Sequence, residues 1–128
     1  MPWMSVAALL GALSVVLGAF GAHALKERLS VADLAIFETA VRYQFYHALA
    51  MLAVTPLQRW ASQQGYGAAA RRAGHAGLAW LLGIAVFSGS LYLLVATGVR
   101  KFGMITPLGG TALIVGWLLL ASAAWRAR

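Results

Sequence analysis

An uncharged, apolar run of 23 residues from Trp3 to Leu25 opens this sequence and limits what the chain can fold into. At about 1.5 Å of rise per residue, an α-helix of this length crosses a hydrocarbon core of ~30 Å with some tilt. The segment therefore predicts a membrane-spanning helix.

The composition agrees with a membrane protein, because 62% of the residues are hydrophobic and only 10% are charged. Soluble domains carry about 25% charged residues. Ten Lys and Arg oppose three Asp and Glu, but they fall in short stretches between apolar segments, which indicates topology determinants and not a nucleic-acid-binding face. The absence of cysteine excludes disulfides, thiolate metal sites and thiol nucleophiles.

Three further apolar segments predict an all-α, integral membrane four-helix bundle that forms a single domain over residues 1–128. The predicted spans are residues 3–25, 37–57, 74–99 and 104–125. Ser30 and Asp33 form a capping pattern, so the second helix should begin near Val31 and continue to Leu57. Of the four predicted spans, residues 37–57 are the one that hydropathy supports least. Gln58 to Arg72 contains arginines and glycines and predicts a polar loop.

Small residues recur along three of the predicted helices at spacings that place them on one face. Such faces let helix backbones approach closely in a membrane. The three series are Ala7, Gly11, Ser14, Gly18 and Gly21; Ala76, Gly83 and Ser90; and Gly109, Ala112, Gly116 and Ala123.

Four spans place both termini on one side of the membrane, where Trp3, Trp60 and Trp125 should form an interfacial aromatic belt. The positive charges number five on each side: Arg59, Arg71, Arg72, Arg126 and Arg128 on the termini side, and Lys26, Arg28, Arg42, Arg100 and Lys101 on the other. If Arg42 lies within the membrane, the count becomes five against four. The positive-inside rule then favours cytoplasmic termini.

Polar and ionisable side chains are energetically unfavourable inside a membrane, so their presence in these spans predicts a functional or structural polar site. Estimates of depth from the helix rise place most of them in the leaflet of the first and third loops. We therefore expect a polar pocket there, formed by His23, Thr39, Tyr43, Gln44, His47, Ser88, Ser90, Tyr92 and Thr106.

Each of these groups also has a purely structural interpretation. Glu38 and Arg42 are four residues apart, so they form either an interfacial ion pair or a site for an anion or headgroup. His47 is either a neutral imidazole bonded to Tyr43 or to a serine of the third span, or a proton relay or ligand. Serine, threonine and tyrosine side chains in the third and fourth spans commonly form hydrogen bonds between helices.

The residues provide no recognisable catalytic constellation, and we expect neither an enzyme nor a bound metal or cofactor. Ser88-Gly89-Ser90 lacks the G-x-S-x-G elbow of serine hydrolases. A haem or metal site would need His23 and His47 at similar depth, but they are expected about two turns apart. A proton-linked transporter would need a carboxylate near mid-membrane, and none of the three acids is expected there.

Four motifs resemble those of the family called domain of unknown function 423. They are Gly18 to Leu25, Thr39 with Tyr43-Gln44 and His47, Phe87 to Tyr92, and Thr106 to Gly110. The family comprises small bacterial inner-membrane proteins and a eukaryotic relative, transmembrane protein 256. The resemblance implies a four-helix inner-membrane protein without an established activity. It does not extend to Glu38 and Arg42, which the family pattern does not require.

Together these observations predict a multi-pass membrane protein whose polar pocket binds a small ligand, a lipid headgroup or a partner segment. The alternative is a structural or assembly subunit of a membrane complex, in which the polar residues only fix helix packing. A small proton-linked transporter or a redox protein is less well supported.

Overall fold

The computed structural model of the protein describes residues 1–127, which form five α-helices. The helices are α1 Trp3–Phe20, α2 Val31–Met51, α3 Val54–Gln63, α4 Gly67–Thr97 and α5 Thr106–Arg126. A π-helical turn, Gly21–Leu25, continues α1, and a 3₁₀ turn, Arg100–Met104, precedes α5. Arg128, counted above among the charges of the termini side, lies outside the described residues.

The predicted all-α membrane bundle is confirmed, with α1, α2, α4 and α5 as its four long helices. Among residues 1–127, three segments are long and apolar enough to cross a membrane: Trp3–Leu25, Gly67–Thr97 and Arg100–Arg126. α2 packs against α1 and α4, but it is not among these three. Its crossing therefore stays a prediction.

The second helix begins as predicted but ends earlier. Ser30 Oγ accepts a hydrogen bond from the Asp33 amide, and α2 starts at Val31. The expected continuation to Leu57 is wrong, because α2 ends at Met51 and α3 begins at Val54. Pro56 explains the break, since it has no N–H to donate to the carbonyl of Leu52 and its ring would clash with that carbonyl.

The predicted polar loop from Gln58 to Arg72 is also wrong, because most of it is helical. Only a short turn centred on Gly65 separates α3 from α4, and the φ of +80° at Gly65 is one that glycine adopts without strain. Alanines explain the difference: Ala69 and Ala73 of α4 pack with Ala61 of α3 in a small buried cluster. Close helix packing and high helix propensity outweigh the local polarity.

α4 is the centre of the bundle and packs antiparallel to α5 over most of their length. Gly109 lies against the backbone of Phe87, and seven residues further along α5, Gly116 lies against the ring of Trp80. Trp80 is fully buried and donates its indole N–H to the carbonyl of Leu113 over 3.2 Å. The predicted small-residue face of the last helix is therefore a close contact with α4.

Trp3 does not belong to an interfacial belt, contrary to the prediction. Its ring packs over Gly77 of α4, and only 4% of the residue is exposed. The absence of a side chain at Gly77 makes room for the indole, because a Cβ there would lie 2.9 Å from the ring. Trp60 and Trp125 are exposed, in keeping with interfacial positions.

Candidate functional site

Tyr43 and His47 lie one turn apart on α2 and face a groove between α2 and α5. The groove has a volume of about 560 Å³ and is open on one side. Its lining residues are Tyr43, Tyr46, His47, Phe87, Pro107, Gly110, Thr111, Leu113, Ile114 and Trp117. Two of the predicted pocket residues therefore contribute to a real cavity, together with residues of α5 that the sequence did not single out.

The hydrogen bonds of His47 determine its tautomer. Trp117 Nε1–H donates to His47 Nε2 over 3.1 Å, and His47 Nδ1 lies 2.6 Å from the carbonyl oxygen of Tyr43. An indole can only donate and a carbonyl can only accept, so Nε2 is unprotonated and Nδ1 carries the proton. His47 is thus a neutral imidazole that joins α2 to α5. Of the two predicted partners, it bonds to the backbone of Tyr43 and not to a serine of α4.

Aromatic rings form most of the groove wall and hold one another in place. Tyr43 stacks on Phe87 with centroids 4.6 Å apart, and Trp117 meets Trp80 edge-on at 4.9 Å. The His47 ring lies 6.0 Å from that of Trp117. Contacts of this kind add to the stability gained from burial alone, so the wall is largely preformed.

The hydroxyl groups of Tyr43 and Tyr46 have no hydrogen-bond partner within the part of the chain that the structure describes. Both tyrosines line the groove and are substantially exposed, at 41% and 54%. Each phenol can donate and accept a hydrogen bond. The groove therefore offers two polar groups that a bound molecule could use.

Gln44 lies next to Tyr43 in sequence but points into the bundle. It is 2% exposed, its side-chain Nε2 donates to the carbonyl of Leu10 over 3.0 Å, and its Oε1 accepts from the Tyr92 hydroxyl over 2.8 Å. This residue thus connects α1, α2 and α4. We call an interhelical hydrogen bond of this kind a clip. Gln44 and Tyr92 form one, and neither side chain faces the α2–α5 groove.

The serines of α4 form two further connections. Ser88 donates to the carbonyl of Ala40 on α2 over 2.7 Å. Ser90 Oγ lies 2.6 Å from Thr106 Oγ1 at the start of α5 and donates to the carbonyl of Phe87 within α4. These three side chains satisfy one another or the backbone, which is the structural interpretation of such groups.

The remaining two predicted pocket residues lie apart from the others. His23 is exposed on the π-helical turn. The Thr39 hydroxyl donates to the carbonyl of Ala35 one turn earlier in its own helix. The nine residues therefore do not share one cavity: His23 lies on an exposed turn, whereas His47 contacts Trp117 near the middle of α5.

Glu38 and Arg42 form an ion pair at 3.6 Å on the outer surface of α2, and both side chains are well exposed. Neither lines the groove between α2 and α5. Exposed pairs of this kind contribute little to stability, on the order of 0–1 kcal/mol. Their position suits the local ion-pair interpretation.

Trp117 is the main groove residue that sequence reasoning missed. A signal was available, since tryptophans are enriched at the membrane boundary and Trp117 falls near the middle of its helix. A tryptophan at that depth has an N–H that needs an acceptor, and a histidine in a neighbouring span is a suitable one.

Within residues 1–127, no group of three or more His, Asp and Glu side chains is placed to hold a metal ion. The groove between α2 and α5 contains one imidazole, and both of its nitrogens are engaged. Its chemistry is that of aromatic contact and hydrogen bonding.

Comparison with known proteins places the chain in a family. The profile described as protein of unknown function (DUF423) matches residues 17–110. That stretch contains all nine predicted pocket residues, whereas Trp117 lies beyond it. No solved structure matches the chain.

Bacterial membrane proteins are similar to the chain over nearly their whole length. The UPF0382 membrane protein YwdK of Bacillus subtilis is 42% identical, covering 94% of this chain and 97% of the relative. A UPF0382 membrane protein of Staphylococcus epidermidis is 41% identical over 94% and 95%, respectively. The UPF0382 inner membrane protein YgdD of Escherichia coli is 36% identical over 94% and 86%. These names describe membrane proteins and specify no reaction.

Proposed function

The chain belongs to the DUF423 family of membrane proteins, and from that premise we propose that it binds a neutral, ring-bearing amphiphile in the groove between α2 and α5. The observation that carries the proposal is the preformed aromatic wall with two unpartnered tyrosine hydroxyls. Flat rings stack favourably on such walls, and hydroxyls orient a carbonyl or hydroxyl of the ligand.

The size of the groove supports a small molecule over a partner helix. Small-molecule pockets range from about 300 to 1,000 Å³, and this groove is about 560 Å³. Its lining extends from Pro107 to Trp117, which corresponds to about 15 Å along α5. A ring with a short chain fits that length.

The charge of the lining supports a neutral ligand over a charged headgroup. Among the described residues, none of those that line the groove is an Asp, Glu, Lys or Arg. A charged group would lose hydration there without gaining an ionic partner. This distinguishes the present proposal from headgroup binding, which the sequence alone left open.

We further propose that the protein crosses the bacterial inner membrane four times with its termini in the cytoplasm. The name of the Escherichia coli relative supports the inner membrane. The packing of α2 along α1 and α4 supports a fourth span. If Arg42 lies within the membrane, the count of five positive charges against four supports the orientation.

Decylubiquinone, a neutral ring with a decyl chain, is a suitable probe of the groove, and decanol is the matched chain without the ring. We expect saturable binding of decylubiquinone to the detergent-purified protein by equilibrium dialysis, without competition from decanol. Absence of saturable binding, or full competition by decanol, would refute the ring-binding proposal.

A glycine on the groove wall provides the matching variant. A Cβ at Gly110 would make only ordinary contact with the Phe87 ring at 3.7 Å, so the fold tolerates a side chain there. Gly110→Leu should occupy the groove and lower the affinity for decylubiquinone at least tenfold. Gly89→Leu is the control, because Gly89 has open space around it and does not line the groove. Equal binding by both variants would place the ligand elsewhere.

The structural alternative is favoured by a separate observation, namely the clips formed by Gln44, Ser88 and Ser90. On this interpretation the polar residues only fix helix packing, and the protein serves as a subunit of a membrane complex. Crosslinking in native membranes tests it, because a stable heterologous neighbour is expected, and recovery of the monomer alone would contradict it.

A further inference from the structure

A second, mostly apolar groove lies on another side of the bundle, between the second half of α1 and the last turns of α4. Its volume is about 610 Å³. Leu13, Leu17 and Leu25 form one wall, and Val95 and Ala96 form the other. Arg28 lies at the end nearest the first loop and, among the described residues, is the only charged one in the lining.

The groove exists because α1 contacts different neighbours at its two ends. Near its beginning, α1 contacts α4 through Trp3, whose ring packs over Gly77. Near its end, Gly21 packs against the ring of Phe37, so α1 is held against α2 there. The space between α1 and α4 is left open at this end, with Phe37 and Tyr92 in its lining.

Arg28 has no acidic partner among residues 1–127. The carboxylate of Asp33 is paired with Arg100 at 2.9 Å, and that of Glu38 is paired with Arg42. Glu27 forms no ion pair and does not line the groove. A guanidinium group in this situation is suited to bind a phosphate, which it can contact through two parallel hydrogen bonds.

We propose that this groove holds one acyl chain of an anionic phospholipid whose phosphate contacts Arg28. Of the residues that the structure describes in this lining, Tyr92 alone is polar apart from Arg28, and its hydroxyl already donates to Gln44. The rest of the groove thus offers apolar contact, as an acyl chain requires.

The dimensions of the groove fit one acyl chain of a lipid in a single leaflet. The α1 wall from Leu13 to Leu25 is about 18 Å long, which is slightly more than half of a ~30 Å hydrocarbon core. A partner helix fits less well, because a helix about 10 Å wide and 18 Å long occupies on the order of 1,400 Å³. The position of Arg28 at one end corresponds to the depth of a phosphate group.

Native mass spectrometry of the detergent-purified protein tests the headgroup contact. The probes are dioleoyl phosphatidylglycerol and dioleoyl phosphatidylcholine, which have the same chains but differ in net charge. We expect preferential retention of phosphatidylglycerol and about a tenfold loss of this preference in Arg28→Gln, as for removal of one charge-assisted contact. Lys101→Gln is the control, because Lys101 belongs to the same side but not to the groove.

Variants that fill the groove test the contact with the acyl chain. Ala96→Trp should reduce retained phosphatidylglycerol as strongly as Arg28→Gln, whereas Ala85→Trp should not, since Ala85 is an exposed α4 residue outside the groove. Leu17→Trp fills the groove from its α1 wall and is the second variant if Ala96→Trp does not fold.

Three outcomes would overturn the proposal. Equal effects of Arg28→Gln and Lys101→Gln would indicate general electrostatic attraction. Unchanged retention in both groove-filling variants would indicate a headgroup bound without its chain. Equal retention of the two phospholipids by the unmodified protein would show that the groove does not select an anionic lipid.

Discussion

Trp117 of α5 donates its indole N–H to Nε2 of His47 on α2 over 3.1 Å. The bond crosses the end of the groove between these helices and leaves Nδ1 of His47 to donate to the backbone of Tyr43. It makes His47 a fixed part of the groove wall, with both ring nitrogens occupied.

The tautomer of His47 is the first prediction. In protein labelled with ¹⁵N-histidine, His47 should show an unprotonated Nε2 and a protonated Nδ1, because the indole can only donate. The signal is assigned by its loss in His47→Gln. In Trp117→Phe the preference for this tautomer should decrease. His23 and His75 are exposed and serve as internal controls. A protonated Nε2 in the unmodified protein would contradict the hydrogen-bond assignment.

Adjacent glycines of α5 should respond oppositely to alanine. A Cβ at Gly109 would collide with the backbone of Phe87, whereas a Cβ at Gly110 would meet only the Phe87 ring, at 3.7 Å. Gly109→Ala should therefore lower the free energy of unfolding by roughly 1–3 kcal/mol or more, as overpacking does. Gly110→Ala should be neutral or stabilising by up to about 1 kcal/mol. Reversible unfolding in mixed micelles measures both, and equal effects would refute the close α4–α5 contact.

The features predicted well from the sequence depend on local chemistry or on spacing along one helix. Ser30 caps α2 because a serine directly before the first helical residue, with Asp33 three residues later, is suited to that role. Gly109 and Gly116 share one face of α5 because they are seven residues apart, and that face packs on α4. The end of α2 was predictable as well, since Pro56 carries the signal.

The site was harder to predict because it depends on how helices cross. Tyr43 and Gln44 are adjacent and differ by about 100° around α2, yet one faces the groove and the other is buried between α1 and α4. As neighbours in sequence, both have nearly the same depth along α2. The positions of α1 and α5 decide that Gln44 forms a clip and that Tyr43 forms part of the groove wall. The residue pattern of a single helix does not contain that information.

The clip between Gln44 and Tyr92 should show measurable coupling. Gln44→Leu leaves the Tyr92 hydroxyl without its acceptor, and Tyr92→Phe leaves Gln44 Oε1 without its donor. A double-mutant cycle should give an interaction energy of about 0.6 kcal/mol and at most about 1.7 kcal/mol, the average and maximum for side-chain hydrogen bonds within membranes. The cycle is measured by unfolding in mixed micelles. Tyr43→Phe in place of Tyr92→Phe is the control, and a coupling of zero for the first pair would show that the clip adds no stability.

The natural absence of cysteine makes the membrane orientation directly testable. Ser62 of α3 is exposed on the side of the termini, and Lys101 is exposed in the 3₁₀ turn on the opposite side. A thiol reagent that does not cross the inner membrane should label Lys101→Cys in intact cells. It should label Ser62→Cys only after the membrane is permeabilised, because the charge count favours cytoplasmic termini when Arg42 lies within the membrane. The reverse pattern would invert the topology, and labelling of both variants in intact cells would exclude an odd number of crossings between them. Because one crossing of α4 separates these two positions, this pair of variants tests that span as well as the orientation.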